Sequence, residues 1–192
     1  MTEHPAAQTI KRWLWREQAL SLSNADDFAR LYDGHHLHVF RYVYGLSGGP
    51  RQDAEDITAE TFMRAWTTRH RFSGDSGAAL GWLLRIARNL VIDASRRHSV
   101  RPLEENADLE SLLDASALPE ADLVTRQQIE TLWHMLTRLP HEAKEMLVLR
   151  YMLGWQVKRI AVHLEMSENN VSVNIRRSLN RLQRDWPHAD GE

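Results

Sequence analysis

The chain contains no cysteine. That excludes disulfides, thiolate zinc sites and thiol-based redox sensing within it, and leaves any such sensing to a partner. Long apolar runs are missing too: nowhere does the sequence reach the roughly 18 uninterrupted apolar residues that a spanning helix needs, so no membrane insertion is expected. The opening MTEHPAAQTIKRWLWREQ lacks the apolar middle of a secretory signal, which makes the cytoplasm the expected location. Strand-like alternation never persists long enough to build a sheet. No Ser/His/Asp set, phosphate-cradling glycine loop or pair of catalytic carboxylates stands out, so neither an enzyme nor a cofactor is expected.

What is present is helical periodicity and segregated charge. With 192 residues, 43% of them hydrophobic, the chain can form one large or two small cores. A net charge of −2 conceals a strong asymmetry. Between Gly81 and Arg101 lie Arg85, Arg88, Arg96, Arg97 and Arg101 against Asp93 alone, whereas residues 102–125 carry seven acids and no Lys or Arg. The expected architecture is all-α: two small helical domains joined by an acidic linker, the C-terminal one a helix-turn-helix. Its boundaries are an N-terminal extension 1–24, a first domain 25–98, the linker 99–125, a second domain 126–186 and a tail 187–192.

Three constellations carry the functional reading. In AEDITAETFMRAW (54–66), Ala54, Ile57, Thr58, Thr61, Phe62, Ala65 and Trp66 form a wide, mostly apolar arc, while Asp53, Asp56, Glu60 and Arg64 form a charged ridge. The ridge is either a solvated face, with Glu60 and Arg64 paired at i,i+4, or a contact surface. After RFSGDSGAALG, read as a glycine-containing loop, WLLRIARNLVIDASRR places Trp82, Arg85, Asn89 and Arg96 opposite a core face of Leu83, Ile86, Ala87, Leu90 and Ala94. Cations, a ring and an amide suit single-stranded nucleic acid, although a solvated arginine face fits equally well.

The third constellation, WQVKRIAVHLEMSENNVSVNIRRSLNRLQ, reads as a helix-turn-helix. Val157, Ile160, Ala161 and Leu164 lie on one helix, Glu165 and Met166 in the turn, Ser167 is the cap, and Val171, Ile175, Leu179 and Leu182 lie on the next helix. The outward face of that second helix holds Asn169, Asn170, Val173, Asn174, Arg176, Arg177, Asn180 and Arg181, types that read base edges and grip phosphates.

In order along the chain, AEDITAETFMRAW, RFSGDSGAALGWLLRIARNLVIDASRR and LPHEAKEMLVLRYMLGWQVKRIAVHLEMSENNVSVNIRRSLNRL resemble the two domains of an extracytoplasmic-function (ECF) sigma factor of bacterial RNA polymerase. The resemblance implies that Asp56, Glu60 and Arg64 bind core RNA polymerase, on the clamp helices of its largest subunit. It implies that the loop from Arg71 to Gly81, with Phe72 and Ser73, and the face with Trp82, Arg85, Asn89 and Arg96 bind melted minus-ten promoter DNA. Asn169, Asn170, Val173, Asn174, Arg176, Arg177 and Arg181 would read the duplex minus-thirty-five element. An anti-sigma factor is a further implied partner, and the acidic linker would thread towards the RNA exit path.

The chain departs from the family pattern at Ala59, where a Gln is common, at Glu165, where the turn usually has Gly, and at Ser172 and Asn174, in place of a basic pair. Two other classes compete. A stand-alone regulator would need the helix-turn-helix but leaves the ridge and the Arg85 face unexplained. A metalloenzyme could use His35 and His38 of HHLH, which no carboxylate motif accompanies.

Overall fold

The first helix, α1 (Ala25–Ser47), starts at Asn24, whose Oδ1 accepts the Asp27 N–H at 2.8 Å. That bond satisfies one of the donors left orphaned at a helix start. The computed structural model describes residues 22, 24–98 and 123–187. Most of the N-terminal extension, residues 99–122 of the acidic linker and residues 188–192 of the tail lie outside the described residues. Gly48 ends α1 in the left-handed conformation (φ 63°) and returns its N–H to Tyr44 O, so the break expected at SGGP is a helix cap.

Helix α2 (Arg51–Thr68) leads into a single 3-10 turn, Arg69–Arg71. Helix α3 (Ser76–His98) begins six residues before the expected Trp82, so Gly77 and Gly81 are helical and the glycine loop is shorter than predicted. Asp75 explains the early start: its Oδ1 accepts the Ala78 N–H at 2.8 Å.

Helix α4 (Leu123–Thr137) starts three residues before the boundary predicted at 126. Pro140 precedes α5 (His141–Leu147), which widens into a π turn over Val148–Met152 with Leu153 N bonded to Val148 O at 3.1 Å. Helices α6 (Val157–Leu164) and α7 (Glu168–Asp185) follow. No strand occurs among the described residues, and the fold is all-α.

The two halves share a core. Tyr42, Val43, Tyr44, Gly45 and Leu46 are buried in succession, so the end of α1 is covered on every side. Helices α2 and α3 pack on it from the first half, and α5 with its π turn packs on it from the second. Gly45 makes the second contact possible, since a Cβ there would lie 2.8 Å from both Val148 Cγ2 and Met152 Sδ. Tyr44 also meets the Trp133 ring of α4 edge-on, with centroids 5.3 Å apart.

The two glycines inside α1 should therefore respond oppositely to alanine. Gly34 has no neighbour within 4 Å, and Gly34→Ala should stabilise the chain by about 0.5–1 kcal/mol through helix propensity alone. Gly45→Ala should instead cost about 1–2 kcal/mol net, because overpacking outweighs the same gain. Thermal denaturation of both variants checks the difference in sign.

Candidate nucleic-acid interface

On α3, Arg85, Asn89 and Arg96 are exposed, as expected of a binding face. Trp82 departs from expectation. It is half-buried against the core, with its ring 5.0 Å from that of Phe72, so it braces the preceding loop rather than standing free. Phe72 is half-buried in the same contact, and Ser73 beside it is exposed. The core side of α3 is also wider than predicted, since Leu84 and Val91 are buried along with Leu83, Ala87 and Leu90. Ile86 and Ala94 are only half-buried.

The second half approaches this face through carboxylates. Glu145 on α5 is fully buried and accepts from Tyr42 Oη at 2.6 Å and from Arg88 Nε at 2.8 Å. Burial, then the Glu145 charge and hydrogen bond, pushes the Tyr42 phenol well above its ordinary pKa. Glu165, in the turn between α6 and α7, lies 3.8 Å from Arg85. Arg85, Arg88 and Asn89 on one side, and Glu142, His163 and Glu165 on the other, border a cleft of about 400 Å³. Sequence patterns did not identify Arg88, Glu145 or Tyr42 as a unit, because the partners lie 57 and 103 residues apart.

The helix-turn-helix forms as predicted. Ser167 Oγ accepts the Asn170 N–H at 3.2 Å, and Val171 and Ile175 are buried. Leu179, expected inside, is 39% exposed; Ser178 is buried in its place and satisfies its hydroxyl on Asn174 O at 2.8 Å. Asn169, Asn170, Arg176, Arg177, Asn180 and Arg181 are exposed, whereas Val173 and Asn174 are half-buried. Asn174 Nδ2 donates to Asn170 O at 2.9 Å, and Arg181 lies 3.6 Å from Asp185. Arg176 and Arg177 form no ion pair among the described residues, whereas Arg181 and Arg184 both lie beside Asp185, so the first two are the arginines of this helix most available to an anion.

On α2, Asp56 and Arg64 are exposed, Glu60 is half-buried, and Arg64 Nε donates to Glu60 Oε1 at 2.7 Å. Ala54, Thr58, Thr61, Phe62 and Ala65 form the predicted buried side, with Ile57 half-buried and Trp66 37% exposed. Met63, 65% exposed, stands on the charged side. It was overlooked, yet its position seven residues after Asp56 places it within about 20° of that side chain on a helical wheel. The HHLH segment brings the His35 and His38 rings to 6.2 Å. No group of three metal-capable side chains occurs among the described residues.

Two family models match the chain: Sigma-70 region 2 over residues 31–101 and Sigma-70 region 4 over residues 129–182, together more than half of it. The chain belongs to the sigma-70 family of transcription initiation factors, and within it to the ECF sigma factors. It is 30% identical over 163 residues to the ECF RNA polymerase sigma factor BldN of Streptomyces coelicolor, covering 85% of this chain and 61% of that one. SigL of Mycobacterium tuberculosis is 28% identical, with 80% and 85% covered, and SigX of Bacillus subtilis 26%, with 83% of each covered. In fold, the chain resembles the sigma factor RpoE in its complex with the anti-sigma factor NepR from Bartonella quintana. That match has a TM-score of 0.60 and 21% identity, and covers 83% of this chain and 96% of that one. CnrH in complex with the cytosolic domain of CnrY gives a TM-score of 0.58 at 21% identity, covering 89% and 94%. No helix among the described residues is long and apolar enough to cross a membrane.

Three histidines at the seam between the halves predict acid sensitivity. Burial lowers the pKa of His163 to about 4, with Arg85, Arg88 and Arg159 acting in the same direction against Glu145. His141 is lowered by burial, with Lys144 and Arg88 acting alongside against Glu145 and Glu142. His35 is lowered by burial, His38 and Arg159. All three bind protons more weakly when packed than when released, so their packed form is uncompromised above about pH 6.5 and loses stability as pH falls towards 4. The thermal midpoint should fall between pH 7.5 and 5.5, and His163→Gln should flatten part of that fall, as measured by denaturation across the range.

Proposed function

We propose that the chain directs core RNA polymerase to a set of promoters in the cytoplasm, with no catalytic chemistry of its own. The observation that carries this reading is the presence on one chain of a helix-turn-helix with exposed Arg176 and Arg177 and a separate α3 face with exposed Arg85, Asn89 and Arg96. A stand-alone regulator uses only the first. The helix-turn-helix reads the duplex minus-thirty-five element, while the α3 face and the Phe72–Ser73 loop hold the melted minus-ten strand. Melting costs a few kcal/mol, which contacts to the unstacked bases and backbone must offset. Asp56, Glu60, Arg64 and the neighbouring exposed Met63 dock on the polymerase. Met63 adds to that ridge an exposed side chain of a type enriched at interfaces. One solved relative is bound to an anti-sigma factor, and we extend that partner class to this chain.

Run-off transcription with core enzyme and genomic DNA fragments tests the whole reading: discrete transcripts dependent on this chain are expected, and their absence sinks it. Glu60→Lys with Asp56→Lys should abolish co-purification with core polymerase while leaving helicity intact. Reversing charges in an interface costs several kcal/mol, whereas in the free chain the exposed Asp56 tolerates the change within about 0.5 kcal/mol and the half-buried Glu60 loses little more than its surface pair with Arg64.

On DNA, Arg177→Ala should weaken promoter binding and reduce the salt slope by about one if it contacts phosphate. Asn89→Ala should leave closed complexes intact but lower the open-complex population about 5- to 150-fold, as read by permanganate footprinting of unpaired thymines.

A further inference from the structure

The first half of α1 has a flank that no described element covers. From Ala25 to His38 only Leu31 is buried, whereas the later run Tyr42–Leu46 is enclosed. On that flank α1 and the end of α2 present an aromatic strip. Phe28 meets the Trp66 ring edge-on at 5.0 Å, Tyr32 meets Phe62 at 4.8 Å, and His36 stacks on Tyr32 at 5.1 Å. Tyr32, Trp66 and Met63 are 44%, 37% and 65% exposed. Large apolar side chains scattered singly need no explanation, but a connected group of them marks a contact surface.

The chain itself carries a segment that fits. Leu22 is buried two residues before the Asn24 cap, so the sequence preceding it arrives at the end of α1 where Phe28 meets Trp66. Residues 1–21 lie outside the described residues, and their sequence pattern is what matches the strip. In QTIKRWLWREQAL (8–20), Ile10, Trp13, Leu14 and Leu20 fall within an arc of about 120° at helical spacing. Glu17 lies in the same arc, and the strip offers it a cation. Arg69 stands 3.7 Å over the Trp66 ring and has no carboxylate partner among the described residues.

Length and charge agree with that match. A helix over Gln8–Leu20 is about 18 Å long, and α1 also rises about 18 Å from Asn24 to His36, so a turn at Ser21–Asn24 lays one along the other. The segment carries Lys11, Arg12 and Arg16 against Glu17, and the borders of the strip are acidic, with Asp26 and Asp33 exposed on α1 and Asp56 exposed on α2. On the α2 wheel Met63 lies between Trp66 and Asp56, about 60° from the first and about 20° from the second. The strip therefore runs directly into the charged ridge.

We propose that Gln8–Leu20 folds back as a helix on the aromatic strip between α1 and α2, with Trp13 and Leu14 against Tyr32 and Trp66, and that core polymerase competes with it for Met63 and the ridge. The competition rests on the assignment of Asp56 and Glu60 to polymerase docking under Proposed function, whereas the seat of the segment does not. Basic residues of the segment lie beside Asp56 when it is seated, so it covers apolar surface and neutralises charge at the same place.

The absence of cysteine allows a direct test on the full chain. Ile10→Cys is combined with His36→Cys, on the strip, or with Gly34→Cys, which is exposed, has no neighbour within 4 Å and lies about 160° round α1. A loose tail reaches both positions equally. The rate of intramolecular disulfide formation under oxidised glutathione should be about tenfold higher for the His36 pair, and adding Trp13→Ser with Leu14→Ser should abolish that preference. Equal rates for the two pairs overturn the proposal. In the cysteine-free chain, Trp13→Ser with Leu14→Ser should raise the affinity for core polymerase about five- to tenfold, as expected if the segment is seated about 80–90% of the time. Unchanged affinity overturns the competition, provided Asp56→Lys with Glu60→Lys still abolishes binding. If that charge reversal leaves binding intact, the docking assignment has failed and the competition falls with it, while the cross-linking preference still decides where the segment sits.

Discussion

The carboxylate of Glu145 is the constraint on which the packing of the two halves depends. Placing a charged group where it has no exposed surface costs several kcal/mol, which only well-made partners offset. It has two, the Tyr42 hydroxyl from α1 and the Arg88 guanidinium from α3, so one side chain of the second half is bonded to two helices of the first. A hydrophobic side chain of equal volume could supply comparable cohesion. It could not fix the register, because apolar contact slides whereas two hydrogen bonds of 2.6 and 2.8 Å do not.

That register explains the burial of α1. A helix on the edge of a three-helix unit shows one apolar stripe, but the run Tyr42–Leu46 is enclosed on all sides. Gly45 lies in the middle of this run, where a glycine is unfavourable for a helix, and the close approach of Val148 and Met152 is the reason it is there. The π turn at Val148–Met152 lies at the same contact, consistent with a helix that departs from regular winding to fit its neighbour.

Features set by short-range physics were legible in the sequence, and those set by the meeting of the halves were not. The helix-turn-helix was visible because Val157, Ile160, Val171 and Ile175 repeat at helical spacing around a Ser167 cap. The buried side of α2 was visible for the same reason. The start of α3 was missed because glycine signals a loop, whereas Gly77 and Gly81 are helical residues, the first accepting from Arg159 through its carbonyl and the second lying in van der Waals range of His163. Arg88 was read only as part of a basic segment, since no periodicity links it to a glutamate 57 residues away. Trp82 was placed on the open face by its angle on the wheel, which could not register the Phe72 ring arriving from the loop.

The strength with which the two halves pack is a matter of populations. A partner can shift the equilibrium between closed and open forms only by the difference in its affinity for the two. Any partner that requires the halves apart would bind with an apparent affinity lowered in proportion to the scarcity of the separated form. The buried pair at Arg88 and the exposed pair at Arg85 divide this work unequally. Arg85 and Glu165 are 58% and 83% exposed, so their attraction is small and screened by salt, whereas the enclosed Glu145 is shielded from both water and ions. The deep contact therefore carries most of the polar cohesion between the halves, and the surface contact adds little to it.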